Sequence, residues 1–406
     1  MPCGLADAER KKKPEVGGGD GENESEPYPF NPDEYSSVYV STGGDDENNG
    51  LSEDAPFATL AKAVTTVGSG DTYRRIVVLT NLVESGAVTI NTAMENPVTI
   101  EGREFNLKIE RAEGIDDSVI IIKGGAKINF KNIFINGDRS TAVYHRALDI
   151  GGTGTGTLVT LEDGAKITGK KSSSHAPGNT EQHGTGILVR AGAKLVMNAG
   201  SSVVNCRKVG EHAGGAVFLY MGGKFEMNEG AAITGSDLRH AGGVQLYSAN
   251  GATGDTRSEF VMKGGTISDN ITANGAGAVL VENSDFTMEG GMLDHNTTSS
   301  SGGGVYVQTG GHFTMKGGKI SRNTAGSGGG VYVNGNSDTT KFSLEGGVIC
   351  GGTQGYSAET NIANSGTGAV LTIASGSNNK STFHPESLKT NPATGDTLVG
   401  EGPPAT

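Results

Sequence analysis

The sequence predicts an all-β fold, a right-handed parallel β-helix of about ten coils with three short strands in each coil. Three observations lead to this prediction: a repeat of 26 to 34 residues, 67 glycines among 406 residues, and many short apolar strands. Glycine costs about 1 kcal/mol at each site inside a helix, so long helices are disfavoured. Glycine also permits the positive φ angles that tight corners between strands require.

The repeat is defined by the residue that precedes the first strand of each unit. The reference positions are Gly186, Gly215, Gly243, Gly277, Gly304 and Gly330, with Ala147 in a weaker earlier unit. Each unit then has three apolar segments, such as Val305/Val307, Phe313/Met315 and Ile320. Alternation turns these side chains inward, where like residues of successive coils stack about 4.8 Å apart. An asparagine recurs three residues after the third segment, and we expect these amides to form a ladder. These residues are Asn270, Asn296 and Asn323.

The chain divides into two tails and the repeat region between them. Residues 1–36 are rich in Glu, Gly and Pro, which predicts a disordered acidic tether. Residues 37–373 hold the β-helix, and residues 374–406 form a C-terminal tail. Within 55–67 the apolar residues lie on one helical face, which predicts a helix that caps the end of the stack. Asp54 is its expected N-cap.

Several stretches resemble known β-helix proteins. VYVSTGGDDENNGLSEDAPFATLAKAV at 38–64 is similar to the entry motif of secreted proteins of the pectin-lyase-like superfamily, and GGAKINFKNIFINGD at 124–138 is similar to one of their coils. GGAV at 214–217 and FEMN at 225–228 resemble the GGA[ILV] and FxxN repeats of chlamydial polymorphic outer-membrane proteins. Most later units keep the glycines but not FxxN. The resemblance spans residues 38–373 and implies a fold rather than an activity.

Charge and hydropathy restrict the classes of partner. The formal net charge is −13, and residues 1–54 hold 14 acidic and 4 basic residues, which leaves a body close to neutral. A body without a basic stripe argues against nucleic acid. No apolar run reaches the roughly 18–20 residues of a membrane helix. Membrane contact is expected only through a lipid on Cys3, because Cys3-Gly4 before a charged stretch resembles the mature start of a bacterial lipoprotein. An ordinary disordered tail is the alternative.

The acidic residues do not form a recognisable catalytic set. Enzymes of the superfamily cut acidic polysaccharides with clustered carboxylates, and two positioned carboxylates are the minimum for glycoside hydrolysis. The candidate acids lie in loops or corners without partner acids in neighbouring coils. They are Asp45, Asp46, Asp116, Asp117 and Asp163. We therefore assign no catalytic residue and leave open whether the chain is an enzyme.

Three histidines fall at the same position of successive units. His183, His212 and His240 each lie three residues before a reference glycine, so they should stack at one corner, with Glu211 beside the middle one. Histidine with a carboxylate suits a divalent transition metal, whereas an exposed polar ladder is the plainer interpretation. Cys206 and Cys350 end apolar strands and are expected to be small core residues.

The outward positions of the first strands carry several aromatic residues. The candidate ligand-binding residues are Phe218, Tyr220, Tyr247, Tyr306 and Tyr332. Aromatic side chains on a flat face can stack on sugars or anchor a protein, although strand surfaces also favour them for structural reasons. One insertion, residues 248–258, should loop out from the rod and could contribute to recognition.

These observations favour a non-catalytic bacterial surface or secreted protein, a monomer that acts in adhesion or recognition of a host or matrix glycan or protein. A polysaccharide lyase or glycoside hydrolase acting on acidic polysaccharide is the alternative, and a structural spacer is a third possibility. No cofactor is expected apart from a divalent metal at the histidines. The expected location is the cell surface or the medium, with an outer-membrane lipoprotein as one form of attachment.

Overall fold

The computed structural model describes residues 36–112, 118–138, 146–152, 154–171, 185–208, 214–334 and 340–350, and short segments at 361–363, 371–373, 382–383 and 398–400. The predicted tether therefore lies almost wholly outside the described residues, as does most of the predicted C-terminal tail. The described chain forms a parallel β-solenoid, which confirms the predicted fold class. Within these residues no helix is long and apolar enough to cross a membrane.

Each coil passes through a first, a second and a third strand, and the strands of successive coils pair in parallel. The first sheet consists of Val88–Ile90, Ile120–Ile122, Leu148–Ile150, Ile187–Val189, Val217–Tyr220, Val244–Tyr247, Val279–Glu282, Val305–Gln308, Val331–Val333 and Leu371–Ile373. The second sheet consists of Ser37–Val40, Arg75–Val78, Val98–Gly102, Lys127–Lys131, Thr157–Leu161, Ala193–Met197, Lys224–Met227, Glu259–Met262, Asp285–Met288, His312–Met315, Lys341–Leu344 and Thr382–Phe383.

The third sheet closes the coil, and short fourth strands follow it at the next corner. The third sheet consists of Leu82–Glu84, Lys108–Arg111, Phe134–Gly137, Lys166–Lys171, Ser202–Val204, Ala232–Thr234, Thr266–Ser268, Met292–Asp294, Lys319–Ser321 and Gly347–Ile349, with Leu398–Gly400 added antiparallel. The fourth strands are Arg207–Lys208, Asp237–Leu238, Ile271–Thr272, Thr297–Thr298, Thr324–Ala325 and Ile362–Ala363.

The interior consists of columns of like side chains. Five phenylalanine rings of the second sheet stack with centroids 4.6 to 5.0 Å apart. They are Phe225, Phe260, Phe286, Phe313 and Phe342. The predicted asparagine ladder is confirmed and continues to Asn361. Each amide donates to the side-chain oxygen of the next asparagine at 3.0 Å, and all four side chains are buried. A fully hydrogen-bonded amide column can lie inside an apolar core because no buried polar group is left unmet.

One helix, Leu60–Val67, packs Leu60, Ala63 and Val67 into the core against the first strands of the stack. It begins later than the predicted residue 55, and the predicted N-cap is wrong: Thr59 is the N-cap, and its hydroxyl accepts from the amide of Lys62 at 3.1 Å. Asp46 explains this start, because its carboxylate accepts from the amides of Ala58 and Thr59 at 2.9 and 3.0 Å. The helix start is therefore fixed by a side chain from the preceding acidic loop.

Both described core cysteines have the predicted location. Cys206 and Cys350 are fully buried, but Cys350 is disulfide-bonded, whereas Cys206 carries a free thiol. Burial raises the pKa of the Cys206 thiol to about 12, and a hydrogen bond from the backbone of Gly169 partly opposes this shift. A thiol in this environment is uncharged at neutral pH and behaves as a small apolar side chain. Cys3 lies outside the described residues, so its lipidation stays a prediction.

Candidate binding strip on the first sheet

The outward face of the first sheet carries two parallel columns of side chains. The first column contains Asp149, Leu188, Phe218, Gln245, Leu280, Tyr306 and Tyr332. The second column, which we call the strip, contains Arg190, Tyr220, Tyr247, Glu282, Gln308 and Asn334. At about 4.8 Å per strand, the five steps from the first to the last residue of the strip cover about 24 Å.

The first column is largely covered, which corrects one expectation. Phe218 is only 1 % exposed, so the prediction of an exposed ring is wrong at this position. Corner segments before Val244–Tyr247 and Val279–Glu282 fold back over this column: Ala241 and Ala276 form a small apolar cluster with Leu280, and Tyr306 packs against it. Sequence alternation identifies which side of a strand a residue faces, but it cannot show that another segment covers that side.

The four tyrosines remain half-buried and lie in two pairs. The rings of Tyr220 and Tyr247 are stacked, with centroids 5.8 Å apart and 12° between their planes. Tyr306 and Tyr332 meet edge to face at 5.1 Å and 89°. Because Tyr220 and Tyr247 stack on each other along the axis, they offer ring edges and hydroxyl groups to solvent rather than open ring faces. The strip is therefore better suited to hydrogen bonding than to extensive stacking.

The centre of the strip is a polar cluster around Glu282. Gln308 donates its side-chain amide to Glu282 Oε2 at 3.2 Å, and Asn334 donates to the hydroxyl of Tyr306 at 3.3 Å. Burial raises the pKa of Glu282, and the Gln308 amide only partly opposes this. Burial also raises the pKa of Tyr247, and the Glu282 carboxyl adds to that shift. The hydroxyls of Tyr247 and Tyr306 are therefore uncharged donors and acceptors at neutral pH. Glu282 is not among the ligand-binding residues predicted from the sequence, because its altered acidity follows only from its neighbours in the structure.

The start of the strip carries an arginine that is bound by an aspartate. Arg190 donates from Nε and one terminal nitrogen to the two carboxylate oxygens of Asp149 at 2.8 and 2.9 Å. Arg146 donates to the same carboxylate at 2.8 Å. The two parallel bonds from Arg190 hold its guanidinium group against the sheet. Two arginines therefore bind one aspartate, and sequence reasoning did not identify this group.

The insertion 248–258 borders the strip and is anchored to the rod by hydrogen bonds. Its Arg257 donates to Asp285 Oδ2 at 2.7 Å and to the carbonyls of Ser284 and Gly310 at 3.0 and 2.8 Å. A Cβ on Gly222, which has φ of 104°, would lie 2.1 Å from a carbonyl oxygen of the insertion. The insertion therefore packs against the corner that follows Tyr220, and its exposed part includes residues 253–256.

The predicted metal ligands fall mostly outside the described residues. His183, Glu211 and His212 belong to segments that the structure does not describe, and His240 is half-buried at the corner before Val244–Tyr247. Among the described residues, no group of three or more His, Cys, Asp or Glu side chains is placed to hold a metal ion. The metal site stays a prediction.

Comparisons with known proteins add little to this geometry. No family model matches the chain, and no curated protein matches it. Two solved structures of the GH136 lacto-N-biosidase from Eubacterium ramulus, a selenomethionine derivative and the native protein, are similar at 12 % and 10 % identity. Their TM-scores are 0.35 and 0.32, and each alignment covers 85 % of this chain and 67 % of the other. A likeness at this level assigns no activity to the chain.

Proposed function

We propose that this protein recognises a glycan through the strip on its first sheet and does so without cleaving it. The observation that carries the proposal is a continuous column of half-buried side chains whose hydroxyl, carboxyl and amide groups face outward. Its members from Tyr220 to Asn334 can all donate or accept hydrogen bonds. A column one residue wide and about 24 Å long matches a linear ligand rich in hydroxyl groups.

A protein partner fits this surface less well. Standard protein interfaces bury about 800 Å² on each partner and have an apolar centre. The apolar side chains beside the strip, Leu188, Phe218 and Leu280, are at most 3 % exposed. A large apolar anchor is therefore not offered by this part of the first sheet, and a protein ligand is the outcome that would contradict the proposal.

The binding test compares two tyrosines on different sheets. Tyr247→Ala removes a ring and hydroxyl from the strip, and we expect at least a tenfold loss of glycan affinity, or about 1.4 kcal/mol. Tyr39→Ala is the matched control, because Tyr39 is half-buried at an outward position of the second sheet. Binding would be screened on a glycan array and measured by titration calorimetry, with circular dichroism as a check of folding. Equal losses in both variants, or no glycan binding by the unmodified protein, would sink the proposal.

A glycoside hydrolase or lyase is the second candidate, and one observation favours it. A raised carboxyl pKa, as at Glu282, is typical of a general acid. Hydrolysis also needs a second carboxylate about 5 to 9.5 Å away. The other carboxyl group on the outward columns named above, Asp149, lies four strands away, about 19 Å. Turnover of an array-positive glycan, or of polygalacturonate with calcium followed by absorbance, that is abolished in Glu282→Gln would favour this candidate instead.

Attachment at a bacterial surface or secretion completes the proposal. The acidic stretch 1–36 would separate the solenoid from its anchor, and a lipid on Cys3 would supply that anchor. Mass spectrometry of the N-terminus of protein purified from its natural source tests this part separately. An unmodified Cys3 there would rule out the lipoprotein form and leave glycan recognition untouched.

A further inference from the structure

Glu282 differs from five other described carboxyl groups of the solenoid in what neutralises it. Five carboxyl groups each contact at least one arginine, lysine or histidine side chain. They are Glu101, Asp149, Glu226, Asp285 and Asp294. Glu282 instead receives one hydrogen bond from a neutral amide, that of Gln308, at 3.2 Å. In the part of the chain that the structure describes, no ion pair involves Glu282.

The neighbours of Glu282 do not supply a positive charge from either side. Tyr247 is its partner on the preceding strand, and Gln308 is its partner on the following strand. Tyr306, also on the following strand, lies close enough for the carboxyl charge to raise the pKa of its hydroxyl, in addition to the larger effect of burial. These three side chains are neutral at neutral pH. A half-buried carboxylate in such surroundings loses hydration without gaining a counter-ion, which is unfavourable.

A second carboxyl with a raised pKa has a different explanation. Burial raises the pKa of Glu84, and its carboxylate accepts from the backbone amide of Leu60, at the start of the helix, at 2.8 Å. That group is 6 % exposed and performs a structural task. Glu282 lies on the outward face of the sheet, in the middle of the strip, where a ligand could reach it. Its missing counter-ion therefore points to a ligand rather than to the fold.

We propose that Glu282 selects glycans that carry a protonated amine, as unacetylated amino sugars do. The carboxylate would pair with the ammonium group, while the hydroxyls of Tyr247 and Tyr306 and the amide of Gln308 bind the neighbouring sugar oxygens. This inference rests on the proposed glycan-binding function and names the chemistry of the ligand. Charge complementarity supports it, since a charge pair in half-buried surroundings is stronger than one in water.

The pairing requires an ionised carboxyl and a protonated amine at the same time. As pH falls, Glu282 becomes protonated and the preference for amines should disappear. Because the pKa of Glu282 is raised, this loss should occur at a higher pH than it would for an ordinary glutamate. The preference should also disappear at alkaline pH, where the ligand amine is neutral. Tyr247 and Tyr306 have raised pKa values and remain neutral between these limits. Binding of the amine form should therefore be strongest between the two limits.

The test measures the affinity of the full chain for glucosamine oligomers and for N-acetylglucosamine oligomers of the same length, and for every other free-amine and N-acetylated pair of glycans on the array. We expect the free-amine form to bind at least tenfold more tightly at neutral pH. Glu282→Gln should remove that preference, so that the two forms bind this variant with affinities within about twofold of each other. Glu226→Gln is the matched control, because Glu226 lies on the second sheet and is paired with Lys194 and Lys263.

The possible failures are distinguishable. If glycans bind with the same affinity in both forms, or the preference survives Glu282→Gln, the amine inference is wrong and the proposed function stands. If calcium or zinc alone binds at Glu282 and EDTA abolishes glycan binding, a metal supplies the counter-ion and the inference is also wrong. If no glycan of any kind binds, the proposed function itself is wrong.

Discussion

The inside and the outside of the solenoid differ in how residues recur from coil to coil. Inside, the same residue recurs in coil after coil, as in the phenylalanine stack and the buried asparagine ladder. On the strip, the residue changes from Arg190 through two tyrosines to Glu282, Gln308 and Asn334. Identical neighbours satisfy one another without any outside group. In a column of changing residues, a side chain can lack a suitable partner on the flanking strands, as the carboxyl of Glu282 lacks a counter-ion.

This difference separates stability from function. In a solenoid each coil contacts only its neighbours, so stability depends on the quality of each coil-to-coil interface. The interior ladders serve that purpose in the coils that they cross. The outward columns are free to vary because solvent can solvate them, and they therefore carry whatever distinguishes one solenoid from another. Substitutions on the two sides should have effects of different size, and the following three tests rank them.

The largest effect is expected from breaking an interior ladder. In Asn296→Ala, the amide and side chain of Asn270 lose their acceptor at 3.2 and 3.0 Å, and the carbonyl of Ile267 loses a donor at 2.9 Å. Each unmet buried polar group costs about 1–3 kcal/mol, so we expect a loss of about 3 kcal/mol or more in the free energy of unfolding. Hydrogen exchange of the adjoining coils and urea unfolding would measure this.

An outward amide pair provides the control for that substitution. Asn228 is half-buried and donates to Asn198 at 2.8 Å on the solvent side, where water can replace the bond. We expect Asn228→Ala to cost less than about 1 kcal/mol. If both asparagine variants lost the same stability, the distinction between the interior and the surface would fail.

The sequence was sufficient for the interior and insufficient for the surface. Alternation assigned residues such as Phe286 and Asn296 correctly because an inward position depends only on strand period and repeat length. Two errors have a common cause, since both depend on contacts between distant segments. Thr59 replaces Asp54 as the helix cap because Asp46 lies beside it, and Phe218 belongs to a column that corner segments cover.

Glu282 shows where the limit lies for the candidate site. The strand register puts it between Tyr247 and Gln308 in the strip, but its significance comes from the neutral side chains on these two flanking strands. Once the register is known, the sequence shows which charged residues lie in a given column. Whether a particular carboxyl is buried, and whether a basic side chain reaches it, depends on side-chain geometry across three coils.

An intermediate effect is expected where the insertion is anchored to the rod. Asp285→Asn removes the charge that pairs with Arg257 at 2.7 Å and with His312 at 2.8 Å. Arg257 keeps two backbone acceptors, so the insertion should loosen rather than detach. We expect a loss of about 1 kcal/mol, confined to residues 248–258 and measured as faster hydrogen exchange there. Exchange unchanged in the insertion, or increased throughout the solenoid, would contradict this role.

The same anchor should depend on pH. Burial raises the pKa of Asp285, but hydrogen bonds from His312 and Arg257 outweigh it, and the net result is a lowered pKa. A carboxyl whose pKa is lower in the folded state contributes its stabilisation fully above its ordinary value, near 3.9, and loses it as pH falls through the folded value. Exchange of the insertion should therefore accelerate only in strong acid, and in Asp285→Asn this acid step should be absent.

The smallest effect is expected from the ion pairs on the second sheet. Lys194 and Lys263 donate to the two oxygens of Glu226 at 2.8 and 2.7 Å and lower its pKa to about 2. Both lysines are nearly half exposed, so water screens the pairs and Glu226→Gln should cost less than about 1 kcal/mol. Because the folded pKa is lowered, this stabilisation should fade as pH falls from 4.5 toward 2. Unfolding in 1 M salt should remove most of the difference between the variant and the unmodified protein, since salt screens exposed charges. A difference that survives high salt would mean that Glu226 contributes through packing, and the surface of the second sheet would then resemble the interior more than the strip.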